Sequence, residues 1–217
     1  MSLFPIFLKL TNRPCLVVGA GSIAEGKIQS LLDAEAQVTV IATRASAKVQ
    51  QQAEAGEITL HLREFQDSDL EDMYLAVAGT DVPEVNRAVF AEAQSRGILV
   101  NAVDDPPYCD FFFPSVVRRG DLQIAISTAG ESPAYAMQLR KAVNEALPHD
   151  IGPWLEELGR LRREVLQMEP LGEPRKQLLH QLAQREVCGA EACPSRQIAR
   201  RHAREHYPER NPAEVSR

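Results

Sequence analysis

The stretch that decides the fold is "PCLVVGAGSIAEGKIQSLLDAEAQVTVIAT", residues 14–43. It opens with a short apolar run that ends in glycines, which is typical of a buried strand entering a tight turn. Apolar residues then recur at positions 23, 24, 28, 31 and 32, the spacing of one helix face. "QVTVIAT" follows as a second strand. This order predicts the first unit of a parallel sheet covered by helices.

The same alternation continues downstream. "RASAKVQQQAEAG" predicts a helix closed by Gly56, and "EITLHLREF" and "DMYLAVAGT" predict two further strands. "DVPEVNRAVFAEAQSRG" predicts a helix with Asp81 as its cap, Pro83 in its first turn and Gly97 after its end. "ILVNAVDD" predicts the next strand. The fold class predicted is α/β, with a Rossmann-like, doubly wound parallel sheet.

The pattern changes after residue 110. "FFFPSVVRRGDLQIAIST" predicts two strands joined by a turn at residues 119–121, and "ESPAYAMQLRKAVNEAL" predicts a helix with Pro133 near its start. From residue 151 on we expect mostly helix, broken around Pro170 and Pro194. The charge balance changes at the same point, since residues 1–150 hold 12 Lys+Arg against 20 Asp+Glu and residues 151–217 hold 12 against 10.

Composition and charge narrow the class of protein. The net charge is −6, so no overall basic footprint indicates a nucleic-acid partner. No apolar run approaches the roughly 20 residues that span a bilayer, and the N-terminus does not resemble a signal peptide. The four cysteines, at positions 15, 109, 188 and 193, form no dense framework, so we expect a reducing cytoplasm.

The turn after the first strand has the pattern Gly19-x-Gly21-x-x-Ala24. Gly19 would allow the sharp turn, Gly21 would let the backbone approach a pyrophosphate, and Ala24 would allow close packing of helix on strand. The N–H groups that begin the helix could then bind phosphate. These features predict a dinucleotide site, and a tight turn that binds no nucleotide is the alternative.

The end of the second strand leaves the choice of cofactor open. Sites for NAD usually place an acid here to bind the ribose 2′-hydroxyl, but the sequence reads Ile41-Ala42-Thr43-Arg44. Arg44 could bind the 2′-phosphate of NADP, or it could be a solvated residue at the start of the next helix. The residues alone therefore favour neither NAD nor NADP.

Two adjacent acids, Asp104 and Asp105, end the strand of "VNAVDDPPY". The carboxyl ends of strands in a doubly wound sheet border the ligand site, so a carboxylate here could serve as a base. Pro106 and Pro107 restrict the segment that follows. A cap on the turn is the alternative for both acids, and we favour it for Asp105.

Five segments in unbroken order resemble the precorrin-2 dehydrogenase/sirohydrochlorin ferrochelatase family, the N-terminal module of siroheme synthases. They are "FPIFLKLTNRPCLVVGAGSIAEGK", "VTVIA", "LAVAGTDVPEVN", "VNAVDDP" and "FFFPSVVRRGDLQIAISTAGESPAYA". The resemblance covers about residues 3 to 150 and is less secure after residue 160. The methyltransferase module of the fused synthases is absent from this sequence.

The resemblance implies NAD-dependent dehydrogenation of precorrin-2 to sirohydrochlorin in siroheme biosynthesis. Many members also insert ferrous iron into the product. The cofactor contacts that it implies, besides Gly19 and Gly21, fall on Ser22, Ile23, Thr43 and Arg44. The family uses NAD without the usual acid, so the resemblance favours NAD. It also implies a homodimer and three parts: an NAD-binding domain at 1–112, a dimerisation region at 113–150 and a helical domain at 151–217.

The catalytic aspartate of the family matches Asp104. Substrate binding is predicted for Asn101, Arg118, Ser127 and Thr128. The resemblance implies a serine that is important to the site and is sometimes phosphorylated in the family. That serine falls on Thr128 here, so whether this position is phosphorylated stays open. Arg119, Arg140 and Lys141 are further cations for the carboxylates of a tetrapyrrole, although a solvated role is favoured for each cation. Phe111, Phe112 and Phe113 are expected to pack in the core and the dimer interface rather than to form a stacking platform.

Two alternatives remain from the residues. Cys188 and Cys193 with His202 and His206 have zinc-type ligand chemistry, but their central spacing is shorter than in known fingers. A solvated helix with reduced thiols is favoured there, and no metal site is predicted. A non-catalytic NAD-binding sensor module is the alternative function, and it would not need Asp104.

Overall fold

The computed structural model describes residues 3–183. The chain divides into two compact units, and the boundary falls between Phe113 and Pro114. The first unit contains a five-stranded sheet in which every pair of neighbours is parallel. Its strands are β1 (Pro14–Val18), β2 (Gln37–Ala42), β3 (Thr59–Leu62), β4 (Leu75–Ala78) and β5 (Leu99–Ala102), in the order β3-β2-β1-β4-β5.

Helices cover both faces of this sheet. They are α1 (Ser22–Leu32), α2 (Ala47–Glu54) and α3 (Pro83–Ser95), with short 3-10 turns at Asp67–Leu70 and Pro106–Tyr108. Side chains alternate along β1, so that Cys15 and Val17 pack with α1 and α2 while Leu16 and Val18 pack with α3. Full burial of one such aliphatic side chain stabilises the fold by about 1.5–3 kcal/mol. The predicted doubly wound sheet is confirmed.

The predicted glycines after two helices, Gly56 and Gly97, are confirmed, whereas no cap was predicted for the start of α2. Ser46 caps α2 by accepting a hydrogen bond from the Val49 N–H at 3.3 Å. Gly56 follows α2 with a φ of +74° and Gly97 follows α3 with a φ of +68°, a left-handed backbone that glycine adopts without strain. These turns return the chain to the sheet.

One predicted cap is wrong. The N-cap of α3 is Val82 and not Asp81. The Val82 N–H donates to the Thr80 hydroxyl oxygen at 3.1 Å, and the Asn86 side chain accepts from the Thr80 N–H, also at 3.1 Å. Because these bonds fix the turn from within, the helix begins one residue later and the Asp81 carboxylate stays exposed.

The second unit begins with an antiparallel hairpin of β6 (Ser115–Arg119) and β7 (Leu122–Ile126), joined through Gly120 with a φ of +57°. The helices α4 (Pro133–Ala146), α5 (Ile151–Met168) and α6 (Glu173–Ala183) follow. The predicted break at Pro170 is confirmed, since α5 ends before it. A small core of Leu161, Val165, Leu178 and Leu182 joins α5 to α6.

The start of α5 packs on the hairpin turn through Gly152, where a Cβ would lie 3.2 Å from the Arg119 carbonyl. The structure therefore joins hairpin and helices in one unit, and the further division at residue 150 stays a prediction. Within residues 3–183, no helix is both long and apolar enough to cross a membrane.

Candidate functional site

The order of the strands fixes where a ligand crevice lies in the first unit. The chain winds from β1 outward to β2 and β3, and then returns to add β4 and β5 on the other side of β1. In such sheets the crevice opens outside the carboxyl ends of the strands at this reversal, which lies between β1 and β4. The loops after β1, β2, β4 and β5 therefore border the candidate site.

Gly19 ends β1 at the point where the chain turns away from the sheet. Its φ is +108°, and a Cβ at this position would lie 2.4 Å from the Gly79 carbonyl oxygen. Its N–H donates to the Ile41 carbonyl at 2.8 Å. Only glycine fits here. Any other residue would be strained at this positive φ, and its Cβ would collide with the backbone that follows β4.

Gly21 is the N-cap of α1 and leaves the helix terminus open. It provides no side-chain cap, and a Cβ at this position would meet no atom within 4 Å. Ser22 and Ile23, the next residues, are exposed, with 56% of Ile23 accessible. The first N–H groups of α1 and its positive dipole end are thus presented to a free space, which fits a pyrophosphate group.

Thr43 and Arg44 follow β2 at the same edge and are both exposed. The Arg44 guanidinium lies 3.3 Å from the Asp81 carboxylate, which follows β4. Since the ends of β2 and β4 flank the end of β1, this ion pair joins the two loops on either side of the glycine loop. An acid is therefore present near the place of the usual ribose-binding residue, although it comes from another strand.

Asp104 lies on the exposed turn after β5. Its φ is +60°, a left-handed conformation that aspartate and asparagine tolerate better than other side chains. The Val103 N–H donates to the Ala78 carbonyl at 2.8 Å, and the Asp105 N–H donates to the Ala102 carbonyl at 3.2 Å. These bonds hold the turn at the carboxyl edge of the sheet, where Asp104 was expected, and its role as base stays a prediction.

Asp105 points to a different partner. Its carboxylate lies 3.8 Å from the Arg87 side chain of α3, and Arg87 lies over the Tyr108 ring at 5.3 Å. The residue precedes the 3-10 turn but makes no side-chain cap on it. The contact of Asp105 with Arg87 therefore links the segment after β5 to α3, which indicates a structural role for Asp105.

Asn101 is buried under the same segment. Its amide donates to the Phe111 carbonyl at 2.8 Å and contacts the Cys109 sulfur at 3.3 Å. The Cys109 thiol donates to the Ala102 carbonyl at 3.0 Å, and burial raises its pKa. Asn101 thus holds the returning chain against β5, and the prediction that it binds substrate is not tested by these contacts.

Arg118, Ser127 and Thr128 belong to the second compact unit. Arg118 is an exposed residue of β6. The Ser127 hydroxyl accepts from the Ala129 N–H at 3.1 Å, and the Thr128 hydroxyl accepts from the Ser132 N–H at 3.2 Å. These bonds order the loop that precedes α4, and the substrate-binding role of the three residues stays a prediction.

The tail with its two cysteines and two histidines, Cys188, Cys193, His202 and His206, lies outside the described residues. Among residues 3–183, no group of three or more His, Cys, Asp or Glu side chains is placed to hold a metal ion.

Sequence reasoning missed two charged residues of this edge. Lys27 lies within the motif "VVGAGSIAEGK", and its Nζ lies 4.0 Å from the centroid of the Phe113 ring. Asp81 was expected only as a cap. The sheet order could have identified Asp81, because it places the ends of β2 and β4 beside β1, whereas the contact of Lys27 depends on the reversal of the chain at residues 109–113.

Comparison with known proteins places this geometry in a family. The family model described as "Putative NAD(P)-binding" matches residues 6–115, about half of the chain. The chain belongs to this NAD(P)-binding family. A second model, described as "Sirohaem biosynthesis protein central", matches residues 119–145, which include the loop of Ser127 and Thr128.

Curated relatives extend the similarity across both units. The chain is 43% identical over 175 residues to a siroheme synthase of Methylococcus capsulatus, covering 81% of this chain and 36% of that protein. It is 42% identical over 165 residues to a siroheme synthase of Neisseria meningitidis serogroup C, covering 76% of this chain and 34% of the relative. The chain therefore spans about a third of the length of these relatives.

A solved structure supports the fold. The chain of SirC, a precorrin-2 dehydrogenase, matches with a TM-score of 0.77 and 23% identity, covering 92% of this chain and 98% of that chain. At this level of identity the likeness concerns the fold.

Proposed function

We propose that the protein catalyses the NAD-dependent dehydrogenation of precorrin-2 to sirohydrochlorin, a step of siroheme biosynthesis. The observation that carries the proposal is the continuity of the similarity to siroheme synthases, which covers 81% of the chain at 43% identity. It runs beyond the nucleotide-binding unit, whereas a module that only binds NAD would need no more than that unit. The SirC structure adds a dehydrogenase of this substrate with the same fold.

The chain's own residues would hold NAD at the glycine loop. Gly19 makes the turn, Gly21 leaves the space, and the N–H groups of Ser22 and Ile23 face a pyrophosphate at the helix terminus. Thr43 and Arg44 would border the adenosine half. Bound NAD supplies the acceptor for a hydride.

The Arg44–Asp81 pair favours NAD over NADP in this proposal. Both side chains are exposed, so the ion pair itself is weak. The Asp81 carboxylate nevertheless offsets the charge of Arg44 and repels a 2′-phosphate brought near it. Cofactor choice would then depend on an acid after β4 rather than on one at the end of β2.

Asp104 is the proposed base. Conversion of precorrin-2 to sirohydrochlorin removes a hydride and one proton, so the enzyme must accept a proton as the hydride leaves. The Asp104 carboxylate is exposed at the carboxyl edge of the sheet and can receive it. Asn101, Arg118, Ser127 and Thr128 are proposed to bind the substrate.

Ferrous iron insertion is the second candidate activity, because the curated relatives are named for the synthesis of siroheme. Iron is a substrate in that step, and its insertion displaces two pyrrole protons. The Asp104 carboxylate would accept them one after the other and release the first to solvent before it takes the second. We also propose a homodimer located in the cytoplasm. The α4 helix suits such an assembly, since Tyr135 and Met137 are more than half exposed in the single chain.

The proposal is tested by mixing the purified protein anaerobically with precorrin-2 and NAD, without metal. We expect NADH to form together with the absorbance of sirohydrochlorin, and ferrous iron added afterwards tests the second activity. Binding of NAD without conversion of precorrin-2 would contradict the proposal and favour the sensor module.

A further inference from the structure

The loop between β4 and α3, residues 79–82, borders one side of the candidate cofactor site. It leaves the carboxyl end of β4, which pairs with β1 in the sheet. The Gly79 N–H donates to the Val18 carbonyl at 2.8 Å, so the start of this loop is bonded to the last residue of β1. Ligands of doubly wound sheets lie outside this pair of strand ends, and the position of the loop therefore shapes the crevice.

The glycine loop packs directly on the loop after β4. A Cβ on Gly19 would lie 2.4 Å from the Gly79 carbonyl oxygen and 3.1 Å from the Thr80 nitrogen. A Cβ on Gly79 would in turn lie 3.8 Å from the Cβ of Ala24, the small residue that ends the glycine motif. Because backbone meets backbone here, a shift of the loop after β4 would also move the turn that precedes α1.

Asn86 of α3 holds this loop through one side chain. The residue is buried, with 6% of its surface exposed. Its Oδ1 accepts from the Thr80 N–H at 3.1 Å and lies 2.8 Å from the Thr80 hydroxyl oxygen, while its Nδ2 donates to the Thr80 carbonyl at 3.0 Å. Any other position of the loop would break these bonds and leave a buried amide unpaired, which costs free energy.

The same bonds hold the acid that faces Arg44. Asp81 follows Thr80 in the loop, and its carboxylate lies 3.3 Å from the Arg44 guanidinium after β2. Asn86 thus fixes the backbone on both sides of the crevice edge, at the contact with Gly19 and at the start of the ion pair. Its amide group is buried, so it acts on a ligand through the loop.

We propose that Asn86 is a positioning residue of the cofactor site, which holds the loop after β4 against the glycine loop and so maintains the conformation that binds NAD. The proposal rests on the proposed placement of NAD at the glycine loop and is independent of the conversion of precorrin-2. In Asn86→Ala the loop loses these bonds and populates other positions. The affinity for NAD then falls in proportion to the fraction of molecules that keep the binding position.

The first test is calorimetric titration of Asn86→Ala and Val89→Ala with NAD. Val89 is fully buried on the same helix and packs in the core between α3 and the sheet, so it controls for a loss of stability in α3. We expect the Kd for NAD to rise about tenfold in Asn86→Ala. Val89→Ala should unfold at a lower temperature with an unchanged Kd. A wild-type Kd in Asn86→Ala, or an equal rise in Val89→Ala, would overturn the proposal.

Kinetics with precorrin-2 separate positioning from a loss of folded enzyme. The KM for NAD should rise in Asn86→Ala, while kcat at saturating NAD stays at the wild-type value, because bound NAD selects the loop position that Asn86 otherwise maintains. A lower kcat with an unchanged KM would assign Asn86 a structural role and contradict the proposal.

Hydrogen exchange in the wild type gives a second measurement, which stays decisive if Asn86→Ala does not fold. Loop order and NAD binding are linked, so NAD should slow exchange of the Thr80 N–H. The control is the Glu57 N–H, which donates to the Gln52 carbonyl at 3.0 Å before β3, at the opposite edge of the sheet. Slowing at Thr80 no greater than at Glu57 would overturn the proposal.

The two proposals fail in different ways. If the wild type binds NAD without converting precorrin-2, the proposed function fails, and the titrations and the exchange rates still decide the role of Asn86. If the wild type binds no NAD, both proposals are overturned.

Discussion

Gly19 and Gly21 differ in their backbone and surroundings, so a side chain at each position would have a different effect. The first has a φ of +108° and lies against the backbone of Gly79, so its role is to permit the fold. The second has an ordinary backbone, with a φ of −85°, and open space where a side chain would be. Its proposed role is to leave room for a ligand.

Alanine at these two positions should therefore separate stability from binding. We expect Gly19→Ala to lower the free energy of unfolding by roughly 2–4 kcal/mol, because strain and a backbone collision add. Gly21→Ala should cost about 1 kcal/mol or less and weaken NAD binding at least ~10-fold. Urea unfolding and calorimetric NAD titration measure both effects. Equal NAD affinity in Gly21→Ala and the wild type would contradict the placement of the pyrophosphate.

A single contact also bears on the choice of cofactor, since the Asp81 carboxylate lies 3.3 Å from the guanidinium of Arg44. Asp81→Asn removes the negative charge and frees Arg44 for a 2′-phosphate. We expect the affinity for NADP relative to NAD to rise only about two- to fivefold, because an ion pair between exposed side chains contributes little free energy. Binding titrations with both cofactors measure it. Asp67→Asn, at another exposed aspartate, is the control, and an unchanged ratio in Asp81→Asn would exclude Asp81 as a selectivity residue.

At the scale of elements, helix α1 contains a glycine that the fold does not need. Gly26 lies inside the helix, and a Cβ there would meet nothing within 4 Å. Gly26→Ala should raise the free energy of unfolding by about 0.5–1 kcal/mol, because alanine loses less backbone entropy. Gly97 has equal space but a φ of +68°, so Gly97→Ala should destabilise by about 1 kcal/mol. Chemical denaturation of both variants checks the opposite signs.

The connection from β3 to β4 contains an acid whose titration should contribute to stability. Arg63 binds both carboxylate oxygens of Asp69, and this bond, ahead of one from the Gln66 N–H, holds the pKa of Asp69 below its usual 3.8. A depressed pKa means that the contribution is complete above the ordinary value and is lost as the pH falls through the lower, folded value.

Asp69→Asn should therefore lower the urea midpoint at pH 7 and flatten its decline below about pH 4. Unfolding curves between neutral pH and pH 2.5 measure this, and Asp67→Asn serves as the control. If the urea midpoint of Asp69→Asn falls with decreasing pH as steeply as that of the wild type, other carboxylates cause the loss of stability in acid.

Most elements of the first unit could be predicted from the sequence, because buried strands, periodic helices and glycine ends are local signals. The start of α3 could not, since Thr80 and Asn86 fix it through side-chain bonds that compete with the Asp81 cap. The side chains that contact the site residues also could not be predicted from the sequence. The Arg44–Asp81 pair depends on the sheet order, and the contact of Lys27 with Phe113 depends on the path of the chain after β5.

At the scale of the whole molecule, the residues proposed for the reaction occur in both compact units. The glycine loop and Asp104 belong to the first unit, while Arg118, Ser127 and Thr128 belong to the second. The similarity to siroheme synthases covers both units, although the chain spans about a third of the length of those relatives. The account therefore predicts that this chain alone performs the dehydrogenation.

The most direct measurement of this account is the rate of NADH formation from precorrin-2 in Asp104→Asn. Asparagine suits the φ of +60° at this position, so the turn is kept while the proton acceptor is lost. Asp72→Asn is matched to it, since Asp72 is also exposed and has a φ of +61°. We predict a loss of about 100-fold or more in Asp104→Asn with NAD still bound, and a wild-type rate in Asp72→Asn. A wild-type rate in Asp104→Asn would contradict the account.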